Sequence, residues 1–279
     1  MARSRIDVFK FSVQSVLNAP CDICGGNTLP TFVGVQAFEK LADWGIAIGI
    51  DAGAVKEWDC TGTEELGVAS TAIDNVRANG GTVSFLDMDE PFLGGEAVVN
   101  DKTCGYTMQQ TAAVTVRFLR EMNAAYPNIL VGNTEPYPYF SVAELKRWTA
   151  ALEERGTPPA YFHLDVDMVQ ARTDGRDVVA DLKELSRFFH VHGIPFGVIF
   201  TANSNWNAAS DRAYFDSTMD WLRTVDKAIG KPQHVLFQSW LGPAPSGAHE
   251  LPVNLPEDDP SVFSHTRLVL EGLAAVGRG

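Results

Sequence analysis

The chain has 279 residues, 45% of them hydrophobic and 20% charged, the balance of a globular protein large enough to bury a core without disulfides or metal. Its 22 Lys and Arg against 35 Asp and Glu give a formal charge of -13, which disfavours nucleic acid and anionic membrane surfaces and leaves a small molecule or a carbohydrate as the expected partner. No apolar run reaches the roughly 20 residues that span a bilayer, and 1–10 lacks the apolar stretch of a secretory signal, so the expected location is the cytoplasm, or outside the cell if a leader has been trimmed.

Strand-length apolar runs alternate with amphipathic stretches of helix length over nearly the whole chain, the order of a parallel sheet with crossover helices. A first strand is expected at 6–17, then a helix at 31–44 and a second strand at 46–53. Helices at 64–79, 107–126 and 141–155 lead to strands at 82–90, 128–135 and 160–167. Helices at 177–192 and 211–229 lead to strands at 195–203 and 233–240, and a last helix falls at 261–275. Gly45, Gly80-Gly81, Pro127-Asn128, Gly193 and Gly230 stand just before strands, where a helix must stop. Ser141 with Glu144 reads as a capping box, and Asp177 and Asp211 read as helix caps.

Seven strands are legible, whereas a closed barrel of the common kind has eight. The expected fold is α/β, a (β/α)8 TIM-barrel-like single catalytic domain over 1–279, with the eighth strand hidden in the first 30 residues or absent. An open doubly wound sheet is the alternative. No Gly-rich phosphate loop follows the first strand, which weakens its dinucleotide-binding version.

Alternate residues of a barrel strand face the interior and the helices. Along 161–168, Phe162, Leu164, Val166 and Met168 form one apolar face, so His163, Asp165 and Asp167 look inward. The same parity turns Asp87 and Asp89 inward on the third strand, Asn133 and Glu135 on the fourth, Asp51 on the second, Thr201 and Asn203 on the sixth, and Gln238 and Trp240 on the seventh. All lie toward the C-terminal ends of strands, where barrel enzymes place their chemistry. Any one acid there could be a solvated loop residue or a cap. Five acids on strands about 4.8 Å apart repel one another unless a cation binds, protons stay on, or partners such as His163 and Lys10 offset the charge.

Two of these strand ends read Asp87-Met88-Asp89-Glu90-Pro91 and Asn133-Thr134-Glu135-Pro136. They resemble the strand ends of TIM-barrel glycoside hydrolases, in which an Asn-Glu-Pro or an acid-rich Asp-x-Asp-x-Glu motif supplies the general acid. Ser239-Trp240 resembles the Trp that such enzymes place under the sugar ring. The resemblance implies a glycosidase that uses two carboxylates, one protonating the leaving oxygen and one attacking or activating water. Glu90, Glu135, Asp89 and Asp165 are the catalytic candidates. Asp51, Asn133, His163, Asn203, Gln238, Trp240, Tyr137 and Trp206 are candidates for substrate binding. The late strands end in Thr201-Ala202-Asn203 and Gln238-Ser239-Trp240, without the acid that the common retaining enzymes carry on the seventh strand, so acid and nucleophile stay unassigned. Trp58 and Tyr139 join Tyr137, Trp206 and Trp240 as aromatic residues at or just beyond strand ends, a set that suits a ring-faced ligand.

The same acids also suit a divalent cation. Asp87, Asp89, Glu135, Asp165 and Asp167 offer the oxygen ligands that Mg²⁺ or Mn²⁺ prefers, an arrangement similar to the metal-binding acids of enolase-type barrels. That reading implies a lyase, isomerase or cyclase acting on a phosphate- or diphosphate-bearing substrate, with Lys56, Arg172 and Arg176 near its oxygens. A sugar-binding barrel without catalysis is a third reading. Cys21, Cys24, Cys60 and Cys104 fall in loops on the face that carries the acids, and four free thiols are expected of a cytoplasmic protein, with a Cys60–Cys104 disulfide expected if it is exported.

Overall fold

The structure is a computed structural model that describes residues 2–21, 24, 26–98, 102–202, 210–238, 251 and 254–276. Seven parallel-type strand segments alternate with helices among these residues, and the strands are hydrogen-bonded in chain order from first to seventh. This is an α/β fold of the (β/α)8 TIM-barrel kind.

The chain divides into two compact units, one of Asp7–Pro136 with Ala143–Phe162 and one of Met1–Ile6, Tyr137–Val142 and His163–Gly279. The first contains β1 (Val8–Ser12), β2 (Ala47–Ala52), β3 (Val83–Asp89) and nearly all of β4 (Leu130–Tyr137). Adjacent strands run parallel, with Lys10 beside Gly49, Asp51 beside Asp87 and Asp89 beside Thr134. The helices of this unit are α1 (Leu29–Gly34), α2 (Ala37–Asp43), α3 (Thr63–Ala78), α4 (Pro91–Glu96), α5 (Met108–Ala125) and, but for its first residue, α6 (Val142–Glu153). Ile48, Ile50, Leu86 and Met88 are buried beneath them, the β-branched and long apolar side chains that a doubly covered parallel strand requires.

The other unit contains β5 (Phe162–Val166) but for its first residue, α7 (Met168–Thr173), α8 (Val178–His192), β6 (Phe196–Phe200), α9 (Asp211–Ile229), β7 (His234–Phe237) and α10 (His265–Ala275). α9 buries Tyr214, Phe215, Thr218, Met219, Trp221, Leu222 and Val225, the three-and-four spacing of a helix with one apolar face. The Tyr214 hydroxyl donates to the Gln238 carbonyl and lies 2.9 Å from Thr201 Oγ1, tying together the chain just past β6 and β7.

Several local expectations change. The first strand stops at Ser12 and continues as a 3-10 turn, Val13–Val16. The helix expected at 31–44 is two, broken where Gln36 adopts φ 55°. α4 and α7, six residues each, are too short to show a helical period. Asp177 caps α8 as expected, but Asp211 is already inside α9, whose cap is Ser210. The box at the start of α5 was not foreseen: Thr107 and Gln110 cap each other's backbone. The cysteines are not free: Cys21 pairs with Cys24 and Cys60 with Cys104. No helix among the described residues is long and apolar enough to cross a membrane.

Candidate active site

The acids that come together lie at the ends of β2, β3 and β4, within the first unit. Lys10 enters from β1, and its stem crosses Gly49, where a Cβ would lie 3.1 Å from Lys10 Cγ. Its ammonium donates to Asp87 Oδ2 at 2.5 Å and stands 3.8 Å from Asp51 Oδ1. Asp87 is fully buried and also accepts from Thr134 Oγ1 at 2.9 Å. On the far side Lys56, from the loop after β2, donates to Asp89 Oδ2 at 2.6 Å. Three carboxyls and two ammonium groups therefore share one small region.

The consequences for proton affinity follow from burial and charge. Burial pushes Asp51 up, the Asp89 and Asp87 charges push it further, and Lys10 and Lys56 pull it back, leaving it at about 7. Burial alone would lower Lys10, but Asp51, Asp87 and Asp89 outweigh it and hold the ammonium above its ordinary value. Lys56 is raised by the same competition, in which Asp89 outweighs burial. Burial raises Tyr161 far above the usual phenol range, aided by Asp87 and Asp51; its hydroxyl donates to the Leu86 carbonyl at 2.8 Å. Gly132 makes that placement feasible, because a Cβ there would fall inside the Tyr161 ring.

Glu135 lies apart from this group in accessibility. It is fully buried, and its Oε1 accepts from Phe92 N–H at 2.9 Å and from Asn133 Nδ2 at 3.1 Å. Its Oε2 has no hydrogen-bond partner among the described residues. Desolvation therefore raises Glu135 well above the ordinary carboxylate value, outweighing the Phe92 and Asn133 hydrogen bonds that lower it. Asn133 Oδ1 accepts from Trp148 Nε1 at 2.7 Å, and the Trp148 ring stacks on Phe92 with centroids 4.9 Å apart. Glu135 thus anchors the start of α4 from below. α4 presses close because Gly94 has no side chain; a Cβ there would lie 2.1 Å from the Val55 carbonyl.

Glu90, the residue before α4, has φ 50° and ψ 50°, a left-handed conformation that costs a non-glycine residue about 1 kcal/mol or more. Its N–H still extends the sheet to the Thr134 carbonyl, and its charge is felt by both Lys56 and Glu135.

Several of the remaining expected residues have contacts of their own. His163 is the second residue of β5, at the strand's N-terminal end, where its Nε2 is 2.9 Å from Nδ1 of His234. Period two fixes a side chain's face and not its height along the strand. Asp167 caps α7, accepting from Gln170 N–H, so it is not a free cluster acid. Tyr137 is buried with its hydroxyl on Asp181, and its ring offers no face to a ligand. Asp165 and Gln238 stand at or just past the ends of β5 and β7, in the second unit. Asn203, Trp206 and Trp240 lie outside the described residues. Tyr139 is exposed.

Among the described residues no three His, Cys, Asp or Glu side chains converge in a way that would hold a metal ion. The positive charge that Asp87 and Asp89 require comes from Lys10 and Lys56. Reading Lys56 as a loop cation for phosphate missed this pairing, although its position just past the acid-bearing end of β2 was visible.

No protein-family model matches this chain, and no curated protein does. Solved structures do. An endo-beta-1,4-mannanase of Cellulomonas fimi superposes with a TM-score of 0.59 at 13% identity, over 96% of this chain and 63% of that one. A glucosidase from Croceicoccus marinus gives 0.53 at 11%, over 98% and 62%. Fungal beta-1,4-galactanases give 0.51 at 12%, over 85% and 78%. The chain spans less than two thirds of the mannanase and the glucosidase. It has a TIM-barrel, glycoside hydrolase-like fold.

Proposed function

We propose that this protein is a glycoside hydrolase-like enzyme whose proton donor is Asp51 and whose opposing carboxylate is Asp89. The observation that carries the reading is Asp51 itself: a carboxyl near pKa 7, with 22% of its side chain exposed, beside ion-paired carboxylates at the end of the neighbouring strand. Glycoside cleavage needs one carboxyl that holds a proton at neutral pH and one that is ionised, and divergent environments are how a single site supplies both. Asp51 gives its proton to the departing glycosidic oxygen. Asp89, 37% exposed and held by Lys56, stabilises the positive charge on the anomeric carbon, either by attacking it or by activating water. Glu135 has no solvent access and keeps α4 in place.

Fold likeness to enzymes acting on β-1,4-linked mannan and galactan makes those polymers, and aryl β-glycosides, the first substrates to try. The two disulfides favour an oxidising compartment, the exported alternative, over the cytoplasm. Purified protein is expected to release reducing ends from at least one of these substrates. Asp51→Asn and Asp89→Asn are each expected to lose about 10²-fold or more. Hydrolysis undiminished in both variants would end this assignment, as would no hydrolysis of any β-linked glycoside.

A further inference from the structure

Trp58 stands 51% exposed on the loop between β2 and α3. An indole carries one polar group, and here Nε1–H is already committed, donating to Glu65 Oε1 at 2.8 Å. Glu65 is buried in the first turn of α3, and Gly53 leaves it room, since a Cβ at that position would lie 2.5 Å from Oε2. The loop is held twice more. Asp59 accepts from the backbone N–H groups of Thr61 and Glu65, and the Cys60–Cys104 disulfide staples the loop to the segment between α4 and α5. The ring is therefore fixed in orientation, and what it presents to solvent is apolar face. Lys56 connects it to the acids: its ammonium is 2.6 Å from Asp89 and 6.0 Å from the Trp58 ring centroid.

We propose that Trp58 is a sugar-stacking subsite that holds the pyranose unit next to the one being cleaved. The inference rests on the glycosidase reading of the neighbouring acids. A pyranose suits the position because its C–H face matches the indole while its rim hydroxyls reach the Lys56 ammonium and the Asp89 carboxylate; a purely hydrocarbon ligand would leave both charges without use. Glu65 is a positioning residue, acting through the indole.

The test uses β-1,4-linked manno- and galacto-oligosaccharides of increasing length in two measurements. KM and kcat are taken on active protein, and calorimetric binding on the Asp51→Asn protein. Trp58→Ala is expected to weaken oligosaccharide binding about tenfold, the loss falling on KM rather than kcat and vanishing on aryl monoglycosides, with Trp58→Phe recovering part of it. Glu65→Ala is expected to reproduce a share of the loss, and Glu65→Gln, which keeps the carbonyl acceptor, to restore it. Oligosaccharide affinity equal in Trp58→Ala and its parent at every length overturns the subsite and leaves the glycosidase reading standing. Binding that depends on Trp58 in a protein that cleaves none of these sugars supports the subsite and overturns the glycosidase reading. No binding by the parent overturns both.

Discussion

Removing the Lys10 ammonium tests the electrostatic account of Asp51 most directly. Nζ lies 3.8 Å from Asp51 Oδ1. At an effective dielectric of about 20 the attraction is about 4 kcal/mol, equivalent to about three pKa units. Both side chains are about one quarter exposed, so water screens part of this, and Lys10→Met is expected to raise Asp51 by at least about one unit. Asp87→Asn acts in the opposite sense. It removes a negative neighbour and frees Lys10 for Asp51, lowering the carboxyl from its value of about 7. If Asp51 is the proton donor, activity falls as pH rises through its pKa, so the alkaline limb of kcat/KM moves up in Lys10→Met and down in Asp87→Asn. Carbon-13 NMR of the aspartate carboxyls reads the same shifts without substrate. Lys10→Met also leaves Asp87 buried beside no ammonium, at about 3–5 kcal/mol. The Lys10→Met/Asp87→Asn double variant removes both charges and is expected to regain most of that stability. A limb that moves the same way in both single variants, or in neither, removes Asp51 from the donor role.

Because Asp51 and Glu135 bind protons more tightly folded than unfolded, their contribution to stability is fully present below about pH 4 and is lost as pH rises toward 7 and beyond; Asp51→Asn is expected to flatten that slope in urea titrations between pH 5 and 8. Glu135→Gln keeps the acceptor for Phe92 N–H and changes stability by less than about 1 kcal/mol with hydrolysis retained, whereas Glu135→Ala strands that N–H and opens a cavity at about 3 kcal/mol. Replacing Cys60 and Cys104 with serine frees a loop of 44 residues and is expected to cost about 4 kcal/mol, and thiol titration of the unreduced, unfolded protein is expected to find no free thiol. His265 is half-buried, its Nε2 is shielded from solvent with no partner among the described residues, and desolvation lowers it, so stability is lost as pH falls below about 6.5, and His265→Leu is expected to reduce that acid-side loss in melts at pH 5.

Strand and helix positions were legible because period two and period 3.6 are properties of the sequence, and glycines such as Gly45, Gly193 and Gly230 mark helix ends by their positive φ. Parity turned Asp51 and Asp87 to one face, and the Lys10 ammonium meets both acids there. What parity lacks is depth: it does not tell that His163 stands at the N-terminal end of its strand, beside His234. Nor could it show which acid has access to water. Glu135 and Asp89 read alike in sequence, yet Glu135 is fully buried against the start of α4 and Asp89 is partly exposed. Pro91 and Gly94-Gly95 were the visible trace of that helix. The need for glycine at Gly94 appears only once the Val55 carbonyl is seen 2.1 Å from where a Cβ would be.

Charge counting explains why the proton affinity of Asp51 is raised, and it separates the glycosidase from the metal-dependent alternative. With Asp87 paired to Lys10 and Asp89 to Lys56, the group is balanced while Asp51 is neutral and gains one unpaired negative charge when Asp51 ionises. In a poorly solvated site that last charge is the costly one, which is the physical content of a carboxyl near 7. A divalent cation among these oxygens would reverse the balance, stabilising the ionised form and driving Asp51 far below neutrality. The proton-donor role and a cation at these acids therefore exclude each other. Mg²⁺ or Mn²⁺ is expected to leave the alkaline limb where it stands, and chelation with EDTA to leave the rate unchanged. Activity lost to EDTA and restored by either ion would instead make Asp51 a ligand, and its elevated proton affinity a property of the metal-free site alone.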